Sequence, residues 1–228
     1  MHILKTSYQG NPNVGLFGWA NDKVCLIGTG FKSKVVNDIK KVLDVPVYEI
    51  SLCNTDLIGV FCIGNNEAIV VPDTILDFEI EELKKICKKV GLDLEIVTTN
   101  LNALGNNILC NDLGALVNPD YSARVKKQLR QVLRVNLKPG TIALHGIPGS
   151  LCVIKGENAV VSNNILEKEE DKLKELFGVS NITHGTVNFG SQNIRSGVLC
   201  NKNGFIVGDM SSGVEMTDID EGLGFLNQ

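Results

Sequence analysis

Five glycines recur along this chain at near-equal spacing: Gly15, Gly59, Gly105, Gly149 and Gly197, separated by 44, 46, 44 and 48 residues. Each opens a similar passage: a short apolar stretch, a polar turn, then a second apolar strand. The turns are Ala20-Asn21-Asp22, Gly64-Asn65-Asn66, Asn111-Asp112, Lys155-Gly156-Glu157-Asn158 and Asn201-Lys202-Asn203-Gly204. The apolar strands after them fall at 24–27, 68–71, 115–117, 159–161 and 205–207. A period of this length, repeated until the 228 residues are filled, marks a repeat array or propeller.

The second unit reads most clearly. Ile58-Gly59-Val60-Phe61-Cys62-Ile63 is expected as a strand and Gly64-Asn65-Asn66 as its hairpin turn, because Gly and Asn tolerate the positive φ that tight hairpins require. Ala68-Ile69-Val70-Val71 returns as a second strand that Pro72 stops. From Phe78 to Val90, apolar residues at 80, 83, 86, 87 and 90 follow the helical period, and Gly91 is placed as a C-cap. Leu92 to Val97 alternates as a third strand. The same order predicts helices near 33–43, 122–133 and 168–177, with third strands at 45–52, 135–142 and 182–187. The fifth copy has a hairpin around 197–207 and a poor helix near 216–221, with no third strand after it. The N-terminal segment His2 to Tyr8 is expected to supply that strand and close the ring, which removes the exposed sheet edges. The expected fold is a five-bladed α/β ring of strand-strand-helix-strand repeats, strands near the axis and helices outside. It would be one domain over 1–228, with repeats near 11–54, 55–100, 101–144, 145–190 and 191–228, and 1–10 closing the ring.

Composition narrows the classes of function. Apolar residues make up 43% and charged residues 21%, enough for a packed core and against wholesale disorder. No apolar run reaches the roughly 18 residues of a membrane helix, and the start of the chain lacks a signal peptide's apolar segment, so a cytoplasmic, non-membrane protein is expected. The seven cysteines are odd in number and form no C-x-x-C or zinc spacing, so reduced thiols are expected and no metal or cofactor. The net charge of −4 argues against a broadly basic nucleic-acid binder, though not against a local basic patch. One such stretch is the third helix, with Arg124, Lys126, Lys127, Arg130 and Arg134 and no acid from Ser122 to Val135; a solvated face is the simpler reading and a phosphate or acidic partner the other.

Catalytic signals are weak. Cys62, Cys152 and Cys200 each lie three residues after a marker glycine, which reads as an inherited small core position. His145 and His184 are the candidate bases for a cysteine nucleophile, but spacing alone brings neither to a thiol. Gly28-Thr29-Gly30-Phe31-Lys32-Ser33 departs from a phosphate loop because Phe31 separates glycine from lysine. The residues following the markers are Leu16, Val60, Asn106, Ser150 and Val198. Fivefold repetition gathers them at one end of the axis as an uncharged rim, suited to protein contact and not to acid–base chemistry.

Ala103-Leu104-Gly105-Asn106 with Cys110-Asn111-Asp112 and Ala115-Leu116-Val117-Asn118-Pro119 resembles the translation initiation factor 6 family of ribosome anti-association factors. Gly185-Thr186-Val187-Asn188-Phe189-Gly190-Ser191 is similar to a second family stretch, and Ile63-Gly64-Asn65 with Val70-Val71-Pro72 to a third. The resemblance implies a pentein fold, binding to the intersubunit side of the large ribosomal subunit, steric exclusion of the small subunit, and a part in large-subunit maturation. It implies a monomer without cofactor that meets a ribosomal protein surface, with rRNA nearby. The implied contact residues are Asn106, with Val60, Ser150 and Leu151 beside it, and Asn188 and Ser191 in the second stretch. Eukaryotic members often carry Arg at the Val60 position and Tyr at the Leu151 position. They also extend beyond the ring in a tail, so a chain stopping at Gln228 resembles archaeal members. The alternative from the same fold is a cysteine-dependent guanidine-modifying enzyme, but those usually carry long pocket-building insertions for which the near-even repeats leave little room.

Overall fold

In the computed structural model, residues 2–226 are described; Met1, Asn227 and Gln228, including both ends of the expected domain, lie outside them. Five three-stranded sheets surround an axis. In the second unit, Ile63–Gly64 pairs antiparallel with Ala68–Pro72, which pairs in parallel with Asp93–Val97. The helix Asp77–Val90 makes the crossover and ends at Gly91 in the left-handed region, φ 68°. The other units repeat this order around the helices Ser33–Leu43, Ala123–Leu133, Glu167–Phe177 and Gly213–Gly222. The third strand of the fifth sheet is Ile3–Thr6, running parallel to Phe205–Gly208 with Ile3 opposite Phe205. This is the pentein-type α/β ring.

The middle strands are apolar on both faces because each sheet is covered on both sides. Ile69 and Val71 pack with Trp19 and Leu26 of the first sheet and with Leu83 of their own helix. Val70, on the opposite face, joins Val117 and Leu129 of the third unit. Each helix is thus wedged between consecutive sheets, and five such cores close the circle.

Two expectations are corrected. The passage 58–63 is not one strand: Ile58–Phe61 forms a single helical turn, closed by Cys62 N–H donating to Ile58 O at 2.8 Å, and the strand begins at Ile63. Equivalent turns are Val14–Leu16, Leu104–Asn107, Pro148–Leu151 and Ile194–Gly197. A six-residue apolar run has too little periodicity to separate a buried strand from a buried turn of helix. The second correction concerns the fifth marker. A Cβ at Gly59, Gly105 or Gly149 would lie 1.9–2.1 Å from the carbonyl oxygen of the preceding marker glycine, and one at Gly15 would lie 1.9 Å from Arg195 O. The turns therefore stack backbone on backbone around the axis, and the fifth equivalent is Arg195, second in its turn like the others. Gly197 ends that turn.

Candidate functional site

Chain direction divides the molecule into two ends. Inner strands run away from the helical turns to the asparagine turns; the second and third strands run back. The helical turns, the N-termini of the outer helices and the turns after each third strand therefore share one end. Here the chain reverses through residues with positive φ: Cys53 and Asn54 (54° and 58°), Ala143 and Leu144 (52° and 64°), Asn188 and Phe189 (49° and 63°). This region costs an ordinary side chain roughly 1–2 kcal/mol.

Carboxylates from the following unit hold these turns. Glu79 accepts from Cys53 N–H and Asn54 N–H, both at 2.9 Å. Glu169 accepts from Ala143 N–H and Leu144 N–H at 2.8 and 3.2 Å. Glu215 accepts from Phe189 N–H and Gly190 N–H at 3.3 and 2.9 Å. Each occupies the third position of its helix and also accepts from the N-cap N–H, as a capping-box glutamate does. Burial works to raise the pKa of Glu215, but the N–H donors of Ser212 and Gly190, the Thr186 hydroxyl and Phe189 N–H outweigh it and hold the carboxyl at about 2. Glu169 is lowered by the same balance of burial against donated hydrogen bonds. The phosphate-loop-like segment is a variant of this latch: Thr29 donates its N–H and hydroxyl to Asp56 Oδ1, Tyr8 donates its hydroxyl to Asp56 Oδ2 at 2.6 Å, and Gly30 N–H donates to the Tyr8 oxygen. A carboxylate of the chain itself takes the place an anion would need.

Of the residues expected at a contact, Val60 and Asn106 lie partly exposed on the helical turns. Ser150 is 9% exposed and donates from Oγ to Asn106 Oδ1 at 3.1 Å. The Asn106 carbonyl is thereby fixed, while its Nδ2 makes no bond within the described residues. Leu151 is 4% exposed and packs in the core with Cys152 and Ile165. Asn188 is engaged within the ring, donating to Pro12 O at 3.1 Å and accepting from Ser211 Oγ at 3.2 Å. Ser191 closes the adjacent turn with Val187 through backbone bonds.

The sequence reading missed the apolar side chains between these points. Leu144 is 68% exposed and Phe189 75%, both on latched left-handed turns. Phe78 and Val214 stand exposed on the first turns of their helices, and Ile147 just before its helical turn. The signal that would have found the turns is the glutamate at the third helix position, 25 or 26 residues after the dipeptide it holds.

Among the described residues no thiol is hydrogen-bonded to a histidine. With Arg195 as the fifth marker, Cys62 and Cys152 share one layer, while Cys200 moves to the layer of Cys110. Burial pushes the Cys110 and Cys200 thiols up to about 12 and raises Cys25, Cys62 and Cys152 as well. His2 pairs with Asp220 at 2.9 Å and His184 with Glu170 at 2.7 Å, and His145 is exposed. Among the described residues no group of three or more His, Cys, Asp or Glu is placed to hold a metal, and no helix is long and apolar enough to cross a membrane. At the C-cap of the basic helix Arg134 pairs with Glu67 and Asp93, and on the helix Arg130 donates to Leu137 O and Lys126 to Pro119 O.

Comparison with known proteins is consistent with this architecture. A crystal structure of dimethylarginine dimethylaminohydrolase in adduct with S-methyl-L-thiocitrulline superposes with a TM-score of 0.53 at 11% identity, covering 75% of this chain and 67% of that one. The enzyme of that name from Pseudomonas aeruginosa, complexed with citrulline, gives 0.54 at 10% identity over 82% and 73%. At such identities the likeness is one of fold. In sequence, the chain is 36% identical over 229 residues to translation initiation factor 6 of Pyrococcus horikoshii (99% of this chain, all of the relative). It is 39% identical over 228 residues to that of Pyrococcus furiosus (99% and 100%), and 36% identical over 220 residues to that of Sulfolobus acidocaldarius (96% and 97%). The profile of the eIF-6 family matches residues 3–222, and the chain belongs to that family of translation initiation factors.

Proposed function

We propose that this protein binds the large ribosomal subunit through the helical-turn end of its ring and excludes the small subunit by occupying the space between them. The observation that carries this reading is the concentration at one end of exposed apolar side chains on rigid supports. Leu144 and Phe189 project from turns whose backbone is fixed by glutamates, around a centre of uncharged groups that includes Val60 and Asn106. Exposed apolar patches with polar surroundings mark protein contacts, and an interface centre depleted in charge has the composition of a protein–protein core. Rigid presentation lowers the entropy lost on binding. Asn106 Nδ2, oriented by Ser150, offers a fixed donor there. Leu151 contributes by supporting the turn from beneath.

The mechanism is occlusion by a monomer in the cytoplasm, without cofactor or covalent step, and the same contact serves large-subunit maturation. A cysteine-dependent reaction would need a thiolate within reach of a base; the thiols here are held protonated by burial and the histidines are paired with carboxylates or exposed. Sedimentation of the protein with separated subunits tests the reading. Co-migration with the large subunit alone, with fewer joined ribosomes once the small subunit is added, is expected. Absence of co-migration at low and moderate salt would overturn it. Asn106→Ala is expected to weaken co-migration while leaving the fold intact.

A further inference from the structure

Between its two ends the ring is hollow, with an axial cavity of about 80 Å³ walled by the inner strands. Arg195 is the single charged side chain on that wall. The other four equivalent positions are glycines and carry no side chain, and in the fifth the Arg195 side chain lines the lumen. This group has five donors and no acceptor. Its hydrogen bond within the described residues is a long one, from Nη1 to Gly105 O at 3.5 Å. No carboxylate among the described residues lies within ion-pair distance of it.

The thiols facing the lumen do not supply the missing charge. Cys110 donates to Gly64 O at 3.0 Å and Cys200 to Asn201 O at 3.4 Å, and burial holds both protonated, at about 12. Arg195 is partly exposed, so its charge is only partly solvated and lacks a counter-charge; an ion that joins it in the lumen offsets that cost. The cavity continues past Gly64, Cys110 and Cys200 to a mouth at the asparagine-turn end. The charged groups there are Lys155, Lys202, Asp22 and Asp112. Both aspartates are occupied: Asp22 accepts from Lys202 N–H and Asn66 Nδ2, and Asp112 accepts from Asn66 N–H and Nδ2. The lumen has room for a compact ion with a little water, not for a nucleotide or sugar phosphate.

We propose that the axial cavity is a binding site for a compact monovalent anion, chloride or one of similar size, held by the guanidinium of Arg195. The reading is independent of any ribosomal partner.

The test uses the whole protein and bromide as probe. Crystals grown in bromide are expected to show an anomalous peak within about 3.5 Å of the Arg195 guanidinium. In solution, replacing gluconate by bromide at constant ionic strength is expected to raise Tm saturably, by roughly 2–4 °C at a few times the dissociation constant. Arg195→Met, close to an apolar isostere, is expected to lose the saturable rise and to melt no lower than the parent in gluconate. Sulfate, divalent and larger, is expected to give both proteins the same unsaturated rise. A lumen without bromide, or parallel bromide responses of parent and variant, would overturn the proposal. Should Arg195→Met fail to fold, the bromide peak in the parent decides.

Discussion

At the asparagine-turn end, Asn21, Asn65, Asn111 and Asn201 do the same two things. Each side-chain oxygen accepts from the backbone N–H groups two and three residues on, closing its own hairpin. Each Nδ2 donates to a carbonyl of the next unit, as Asn65 does to Leu133 O at 2.9 Å and Asn201 to Leu43 O at 2.8 Å. The fourth unit has Lys155 in that position, with its ammonium 3.9 Å from the Phe225 ring centroid. At the helical-turn end, the latches are carboxylates that satisfy backbone N–H groups, and the side chains of the latched residues are left over: Leu144 and Phe189 point outward. One end spends its polar groups on itself. The other spends them on holding turns that carry exposed apolar groups.

The largest expected effect lies at the axis, where the helical turns stack. Gly105→Ala puts a methyl into the Gly59 carbonyl, a backbone group with no rotamer to yield; a loss of about 3 kcal/mol or more is expected in urea unfolding, and a loss below ~1 kcal/mol would refute backbone stacking as the reason for the repeat. Acid is next. The Glu215 carboxyl titrates near 4.5 when unfolded and about 2 when folded, so its contribution is complete above pH 4.5 and is lost as pH falls toward 2. That loss is on the order of 2–3 kcal/mol, with Glu169 and Asp56 adding to it in the same direction. Unfolding free energies across this range, compared with Glu215→Gln, should show the variant missing part of the slope. Asn65→Ala removes four bonds at the opposite end, one of them long, and is expected to cost ~2 kcal/mol without weakening association with large subunits; a binding defect in that variant would erase the contrast between the ends. The smallest change in stability is expected for Phe189→Gly. It relieves a left-handed φ of 63° and should be neutral or gain up to ~1 kcal/mol, yet association should fall by roughly tenfold or more, as for a buried apolar anchor. Unchanged association would remove Phe189 from the interface.

Much of the ring was legible from local pattern. The helix Asp77–Val90, its glycine cap and the parallel strand after it follow from apolar period and capping chemistry within about twenty residues. Turn asparagines announced the hairpins for the same reason. The axial turns escape local pattern because Gly59, Gly105 and Gly149 answer to carbonyls 44 or 46 residues away, and Gly15 to Arg195 O at the far end of the chain. Arg195 carries no glycine signature, while Gly197, two residues on, keeps the glycine spacing without the axial role. Ser150 and Leu151 are neighbours in sequence, 44 and 45 residues from Asn106, yet their shared helical turn sends Ser150 to Asn106 and Leu151 into the core.

The sequence by itself determined the unit and its fivefold repetition, because period, caps and turn residues act over a few residues of chain. The tertiary structure alone decided which side chains face solvent, which glutamates latch which turns, and that a single guanidinium occupies the axis. Those outcomes depend on the register between units: a glycine's necessity, an arginine's isolation and a phenylalanine's exposure are properties of the neighbour the fold brings to them.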